Sequence, residues 1–256
     1  MLRGVCAQPD KAALAKAAGY DYIESNCALI GKMTEEEFDE ALVQLRAADI
    51  PCLTMNCLLP GAEYMLVGPD ADHDGALRFV ENAFARAKRL GVEKIVFGSG
   101  GARRRPEGFP EEEAWRQLTA FAQKLAKLAD AYGITVCVEP LNAAETNMVI
   151  TLAEGAKLAR AGGLKLLADM YHVVREPQEA RNMETLAANA DILSHVHVAH
   201  PQTRAYPAPD DDLTLYAPFF AALKKAGYDG TVSLEGIPKD MAADAAPALE
   251  TIKKMG

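Results

Sequence analysis

No apolar run in this chain of 256 residues approaches the eighteen or so that a membrane-spanning helix needs. The N-terminus, Met-Leu-Arg-Gly-Val-Cys-Ala, has no signal-peptide anatomy and enters a strand-like pattern at once. Cysteines are few. The five present (Cys6, Cys27, Cys52, Cys57, Cys137) are odd in number and without zinc-ribbon spacing, which makes a cytoplasmic setting the natural expectation. Cys6, Cys52 and Cys137 lie inside apolar runs and read as buried small hydrophobes.

Basic charge is also short: 27 Lys and Arg against 36 Asp and Glu leave a formal charge of −9. A phosphate-backbone partner would call for a basic face, so neither nucleic acid nor a membrane is expected as partner. The cluster Arg103-Arg104-Arg105 is too short to overturn that, and it reads as solvent-facing with room for one side chain to enter a site. Gly98-Ser-Gly-Gly101 lacks Gly-Lys-Ser/Thr and fits no dinucleotide fingerprint. It reads as a tight turn that lets a substrate approach the backbone. Missing, finally, is any composition shift or linker, so residues 1–256 are expected to form one domain.

What the chain does have is regular alternation. Apolar runs at Gly4–Ala7, Tyr20–Glu24, Ile50–Met55, Lys94–Phe97, Ile134–Glu139, Leu164–Asp169, Ile192–Ala199 and Gly230–Glu235 read as strands. Helical stretches follow them: Pro9–Ala18, a segment opened by the capping-box form Thr34-Glu-Glu-Glu37, Asp72–Leu90, Glu111–Tyr132, Thr151–Ala161, Glu176–Ala190, Leu213–Ala226 and Asp240–Lys254. Glycines at 19, 91, 133 and 162–163 mark helix stops. Eight strand-then-helix units over about 250 residues imply a parallel sheet closed into a single (β/α)8 TIM barrel, with a doubly wound open sheet as the runner-up.

Four consecutive runs end on a residue that a buried strand has little use for. Glu139, Asp169, His197 and Glu235 stand at strand C-terminal ends, where barrel side chains face the active-site mouth. Three carboxylates round one point would repel each other without a cation between them. With one imidazole added, the set suits Mn2+, Mg2+ or Co2+ better than a thiol-rich zinc site. His195, two residues before His197 on the same strand face, lies one layer deeper, and a satisfied core histidine is the preferred reading for it. His200 is open between a mouth residue and a loop residue. Glu145, His172 and Arg204 lie three to seven residues beyond the strand ends, placed to hold substrate oxygens. Trp115 and Phe109 read as packing residues.

Taken in order, Val-Glu-Pro-Leu-Asn (138–142), Ala-Asp-Met-Tyr-His (168–172), His-Val-His-Val-Ala (195–199) with Arg204 and Pro207, and Ser-Leu-Glu (233–235) resemble the xylose isomerase-like superfamily of sugar isomerases and epimerases. Its members include ketose 3-epimerases, hydroxypyruvate isomerase and inosose dehydratase. The resemblance implies Glu139, Asp169, His197 and Glu235 as ligands of a divalent metal, Mn2+ first and Mg2+, Co2+ or Zn2+ as alternatives. It implies Glu139 and Glu235 as the acid/base pair, and Glu145, His172 and Arg204 as substrate-positioning residues. The implied reaction removes a proton next to a carbonyl, through an enediolate that the metal stabilises, and returns it. The implied partner is a small carbohydrate, with a homo-oligomer left open. Ala143, where many relatives carry arginine, and His200, where the residue before the loop proline is commonly acidic, touch specificity rather than the metal set. Competing readings are a lyase on the same scaffold, of the inosose dehydratase or keto-glycoside-cleaving kind, and a non-catalytic sugar-binding barrel. DNA repair of the endonuclease IV type needs more than five histidines and a less acidic surface.

Overall fold

Alternating apolar strands and amphipathic helices can bury both faces of a parallel sheet by covering an open sheet on each side or by wrapping the helices round a closed barrel. The computed structural model does the second, and it describes residues 1–176 and 179–255 (backbone only for 179–182). The strands are β1 (Leu2–Cys6), β2 (Tyr22–Asn26), β3 (Cys52–Asn56), β4 (Lys94–Phe97), β5 (Thr135–Val138), β6 (Lys165–Asp169), β7 (Leu193–Val198) and β8 (Thr231–Leu234). Each pairs in parallel with the next, and β8 returns to β1. The open-sheet alternative falls with that last pairing.

Round the barrel run α1 (Ala12–Ala18), α2 (Cys27–Lys32), α3 (Glu35–Ala48), α4 (His73–Leu90), α5 (Glu111–Tyr132) and α6 (Leu152–Gly162). They are followed by α7 (Met170–Val173), α8 (Glu179–Ala188), α9 (Ala217–Lys225) and α10 (Met241–Lys253). The capping box opens α3: Thr34 Oγ1 accepts from the Glu37 amide at 3.2 Å, and Glu37 Oε2 accepts from the Thr34 amide at 2.8 Å. Gly133 and Gly163, at φ 70° and 74°, end α5 and α6 in the left-handed conformation that turns the chain into the next strand.

Two helices were not anticipated, α2 and α7. Both begin directly off a strand with no turn residue between, because the last strand side chain caps the helix. Asn26 accepts from the Leu29 amide at 2.9 Å, and Asp169 Oδ1 accepts from the Tyr171 amide at 2.7 Å. The helix expected over Glu176–Ala190 is α8 at Glu179–Ala188; residues 177 and 178 of that expectation lie outside the described residues.

The main core lies between barrel and helices, where Phe38, Phe84, Phe97 and Phe121 are fully buried. Burial stabilises each by roughly 1.5–3 kcal/mol. The barrel interior differs from one side to the other. Val96, Cys137 and Leu167 of β4, β5 and β6 form a small apolar cluster of their own. Facing it are polar residues of the remaining strands, Tyr22, Glu24, Thr54, His195, Thr231 and Ser233, all buried.

Candidate metal centre

The C-terminal ends of β5, β6, β7 and β8 bring Glu139, Asp169, His197 and Glu235 to one place. Each offers a ligand atom, and all four atoms lie within 4.8 Å of one another. His197 sits at the centre: its Nδ1 is 3.1 Å from Glu139 Oε1 and 3.1 Å from Glu235 Oε2. Strand register sets this up, since β6 pairs with β7 at Asp169↔His197 and β7 with β8 at His197↔Ser233, so the ends are level. Gly98, just past β4, allows the fourth wall to close in. A Cβ there would meet Glu139 Oε2 at 2.0 Å, so only glycine lets that carboxylate lie against the backbone.

The electrostatics are those of a crowded acidic site. Burial pushes the Asp169 carboxyl up to about 6, and Glu235 beside it adds to the rise. Glu139 is raised for the same two reasons. Burial also opposes charge on Glu235, but His197 and Arg204 outweigh it and hold this carboxyl down to about 2. His197 is disfavoured as a cation by burial, yet Glu235 and Glu24 raise it well above the usual imidazole range.

A divalent cation fits this donor set. Asp169 Oδ2 is buried and without a hydrogen-bond partner, although Asp169 Oδ1 is engaged by the Tyr171 amide. An orphaned carboxylate oxygen, two neighbouring carboxylates and one imidazole nitrogen form a hard, oxygen-rich set of the kind that Mn2+ or Mg2+ takes.

The remaining expected residues border this cluster. Asn142 Nδ2 donates to His172 Nδ1 at 3.0 Å and to Glu145 Oε1 at 2.9 Å. The amide nitrogen can only donate, so His172 Nδ1 accepts and its proton lies on Nε2. That nitrogen is buried, unpartnered, and 3.5 Å from Asp169 Oδ2. Arg204 donates from Nη2 to Glu235 Oε2 at 2.8 Å and from Nη1 to Glu145 Oε1 at 3.4 Å. Its backbone holds a left-handed φ of 58°, an uncommon conformation for a residue with a side chain. His200 is a loop residue, its Nδ1 accepting from the Gln202 and Thr203 amides at 3.2 and 3.3 Å. His195 is buried and hydrogen-bonded to Glu24 and Thr231, in line with its core reading.

Sequence reasoning met Arg103 and Cys6 only in part and passed over Glu24 and Asn56. Of the cluster expected to face solvent with room for one side chain to enter a site, Arg103 is fully buried and donates to the carbonyl oxygens of Phe97 (3.1 Å), Glu139 (2.7 Å) and Val149 (3.3 Å). The Phe97 and Val149 carbonyls also accept from the Glu139 and Leu141 amides at 3.2 and 3.1 Å, so the guanidinium ties three backbone segments together, a role that two neighbouring arginines in the sequence conceal. Cys6, expected to be buried, is half-exposed, with its sulfur among the ligand atoms of His197 and Glu235. Asn56, at the end of β3, donates to Glu235 Oε1 at 2.8 Å. Glu24 is 1% exposed, one layer below the four ligands. Its signal was an apolar run ending in a carboxylate, as at Glu139, Asp169 and Glu235, obscured because β2 continues through Ser25 and Asn26.

Comparison with known proteins agrees with the barrel fold. Residues 12–255 match the family model described as the xylose isomerase-like TIM barrel. A 3-dehydro-D-guloside 4-epimerase of Escherichia coli is 32% identical over 115 residues, which cover 44% of this chain but only 42% of that protein. A putative hydroxypyruvate isomerase of Streptomyces coelicolor is 27% identical over 252 residues, 90% of this chain and 86% of that one. The crystal structure of a D-allulose 3-epimerase from Methylomonas sp. in complex with D-allulose superposes with a TM-score of 0.84 at 22% identity, covering 100% of this chain and 97% of that one. Among the described residues no helix is long and apolar enough to cross a membrane.

Proposed function

The chain belongs to the xylose isomerase-like TIM barrel family, and from that premise we propose that it is a divalent-metal-dependent sugar isomerase or epimerase, working as one barrel domain over residues 1–256 on a ketose or small hydroxy-ketone. The observation that carries this reading is the convergence of Glu139, Asp169, His197 and Glu235, with Asp169 Oδ2 buried among them and without a hydrogen bond. Those four residues would hold the metal, with Mn2+ preferred. When bound, the cation supplies positive charge against the oxygens of a developing enediolate.

The chain's own residues do the rest. Glu139 and Glu235 flank the site, and their surroundings push their carboxyls apart, one raised and one lowered to about 2. Separation of this kind divides acid from base between two like groups. One takes the proton from the carbon beside the carbonyl and the other returns it. Return to the opposite face of the same carbon is epimerisation, and return to the neighbouring carbon is isomerisation. His172, with Nε2–H free, and Arg204 are the donors available to substrate oxygens, and Asn142 holds His172 and Glu145 in place. A cytoplasmic setting belongs to the same reading, since all five cysteines are free thiols.

Incubation of the Mn2+-loaded protein with a panel of ketoses in deuterated water tests the reading. Deuterium uptake with no other change in mass is expected for at least one of them. Loss of water or of an aglycone would transfer the assignment to a lyase, and the absence of metal binding would leave a sugar-binding barrel.

A further inference from the structure

Glu24 has no place in the chemistry above, yet it is enclosed in the barrel beneath the four ligands. A carboxylate in such a place is costly unless hydrogen bonds satisfy it. Its Oε2 accepts from Thr54 Oγ1 at 2.8 Å and lies 2.8 Å from His195 Nε2, while its Oε1 lies 3.0 Å from His197 Nε2. On the far side of His195, Nδ1 is 2.7 Å from Thr231 Oγ1 and 3.0 Å from the Thr231 carbonyl oxygen. Thr231 Oγ1 in turn accepts from Lys94 Nζ at 3.0 Å, near the opposite end of the barrel from the site.

The two ends of this chain fix its protons. An ammonium can only donate and an ionised carboxylate can only accept. Lys94 therefore donates to Thr231 Oγ1, and Glu24 requires a proton on each imidazole nitrogen that faces it. His195 turns Nε2 to Glu24 Oε2 at 2.8 Å and so carries its proton there. Its Nδ1 then accepts from the Thr231 hydroxyl. His197 likewise presents Nε2–H to Glu24, so the nitrogen turned toward Glu139 and Glu235 is Nδ1.

We propose that Glu24 is a positioning residue for the metal centre. Through the ordered series Lys94–Thr231–His195–Glu24–His197 it fixes the His197 ring and its tautomer, so that Nδ1 is offered to the cation as a bare lone pair. The proposal rests on the metal reading of the preceding section. A ligating imidazole whose other nitrogen donates to a carboxylate is the arrangement that orients and strengthens such a ligand, and removal of the carboxylate costs about 10–100-fold in affinity. Glutamine at position 24 keeps the shape but can accept at one atom only, whereas two imidazole N–H groups face it.

The test has two arms. Long-range 1H–15N spectra of histidine-labelled protein, metal-free and loaded with Zn2+ as a diamagnetic probe, read the ring protons directly. The expected result is His195 protonated at Nε2 in both samples, and His197 protonated at Nε2 when loaded. Titration calorimetry with Mn2+ is expected to show Glu24→Gln weakened by about 10–100-fold. Thr231→Val, nearly isosteric and distant from the ligands, removes the hydroxyl at Nδ1 and is expected to leave the His195 proton on Nε2, where Glu24 still requires it. His195 protonated at Nδ1 in the unaltered protein, or Glu24→Gln binding Mn2+ as tightly as the parent, overturns the proposal. If Glu24→Gln fails to fold, Thr231→Val decides: a His195 proton that moves to Nδ1 there shows that Glu24 does not set the order and also overturns it. Failure of the parent to bind Mn2+ at all strikes the metal reading instead, and the metal-free His195 spectrum still tests the proton order.

Discussion

Arg103 Nη2 donates to the carbonyl oxygen of Glu139 at 2.7 Å, so a fully buried cation holds the backbone of a candidate ligand rather than its carboxylate. The same guanidinium reaches Phe97 and Val149, which joins the ends of β4 and β5 to the loop bearing Asn142 and Glu145. Burial pushes this guanidinium down to about 10, still charged at neutral pH. Arg103→Met leaves three carbonyl oxygens without that donor and is expected to lower stability by about 3 kcal/mol. A denaturant midpoint unchanged from the parent would contradict it.

Glu139→Gln and Glu235→Gln each remove a proton-transferring group and leave its volume. Turnover is expected to fall by about 10²–10⁴-fold in each, the usual worth of general acid–base catalysis. Near-normal rates in either variant, with metal content matched, would remove that residue from the acid/base pair.

Arg204 carries its charge between Glu235, Glu145 and Asp169, the last at 3.8 Å, and lies over the Tyr171 ring. Arg204→Ala is expected to raise the substrate KM while Mn2+ still binds. Paired steady-state kinetics and calorimetry check this, and loss of metal would place Arg204 in support of the cation site instead.

Metal affinity is expected to depend on pH in one direction. Burial and then Glu235 raise the Asp169 carboxyl to about 6, above its usual value, so a proton competes with the cation up to that pH. Affinity therefore rises as pH climbs through about 6 and falls by roughly tenfold per pH unit below it for each proton displaced. The increase in Tm on adding Mn2+, compared with chelator at each pH, is expected to grow from pH 5 to 7. A flat difference over that interval would show that Asp169 is not among the ligands.

The barrel and its four strand-end residues were legible because each depends on local pattern. Glycine stops and apolar runs mark the units, and Glu139, Asp169, His197 and Glu235 interrupt those runs with groups that a buried strand would otherwise exclude. Arg103 and Glu24 were illegible for the opposite reason. What they do depends on partners far along the chain: Val149 lies 46 residues from Arg103, and His197 lies 173 from Glu24. No spacing rule within a strand or helix connects such positions, which only barrel closure brings together. The short helices α2 and α7 escaped because the residue that starts each one is itself the last of a strand.

That economy at Asp169 has a consequence for ion choice. With Oδ1 engaged by the Tyr171 amide, Oδ2 is the oxygen free of hydrogen bonds, so a helix cap sets which oxygen of this carboxylate is most open to a cation. On the proposed reading this suits a small ion content with single-oxygen donors, such as Mn2+ or Mg2+. It works against Ca2+, whose larger shell draws on chelating carboxylates. On that reading the first turn of a four-residue helix would bear on ionic radius.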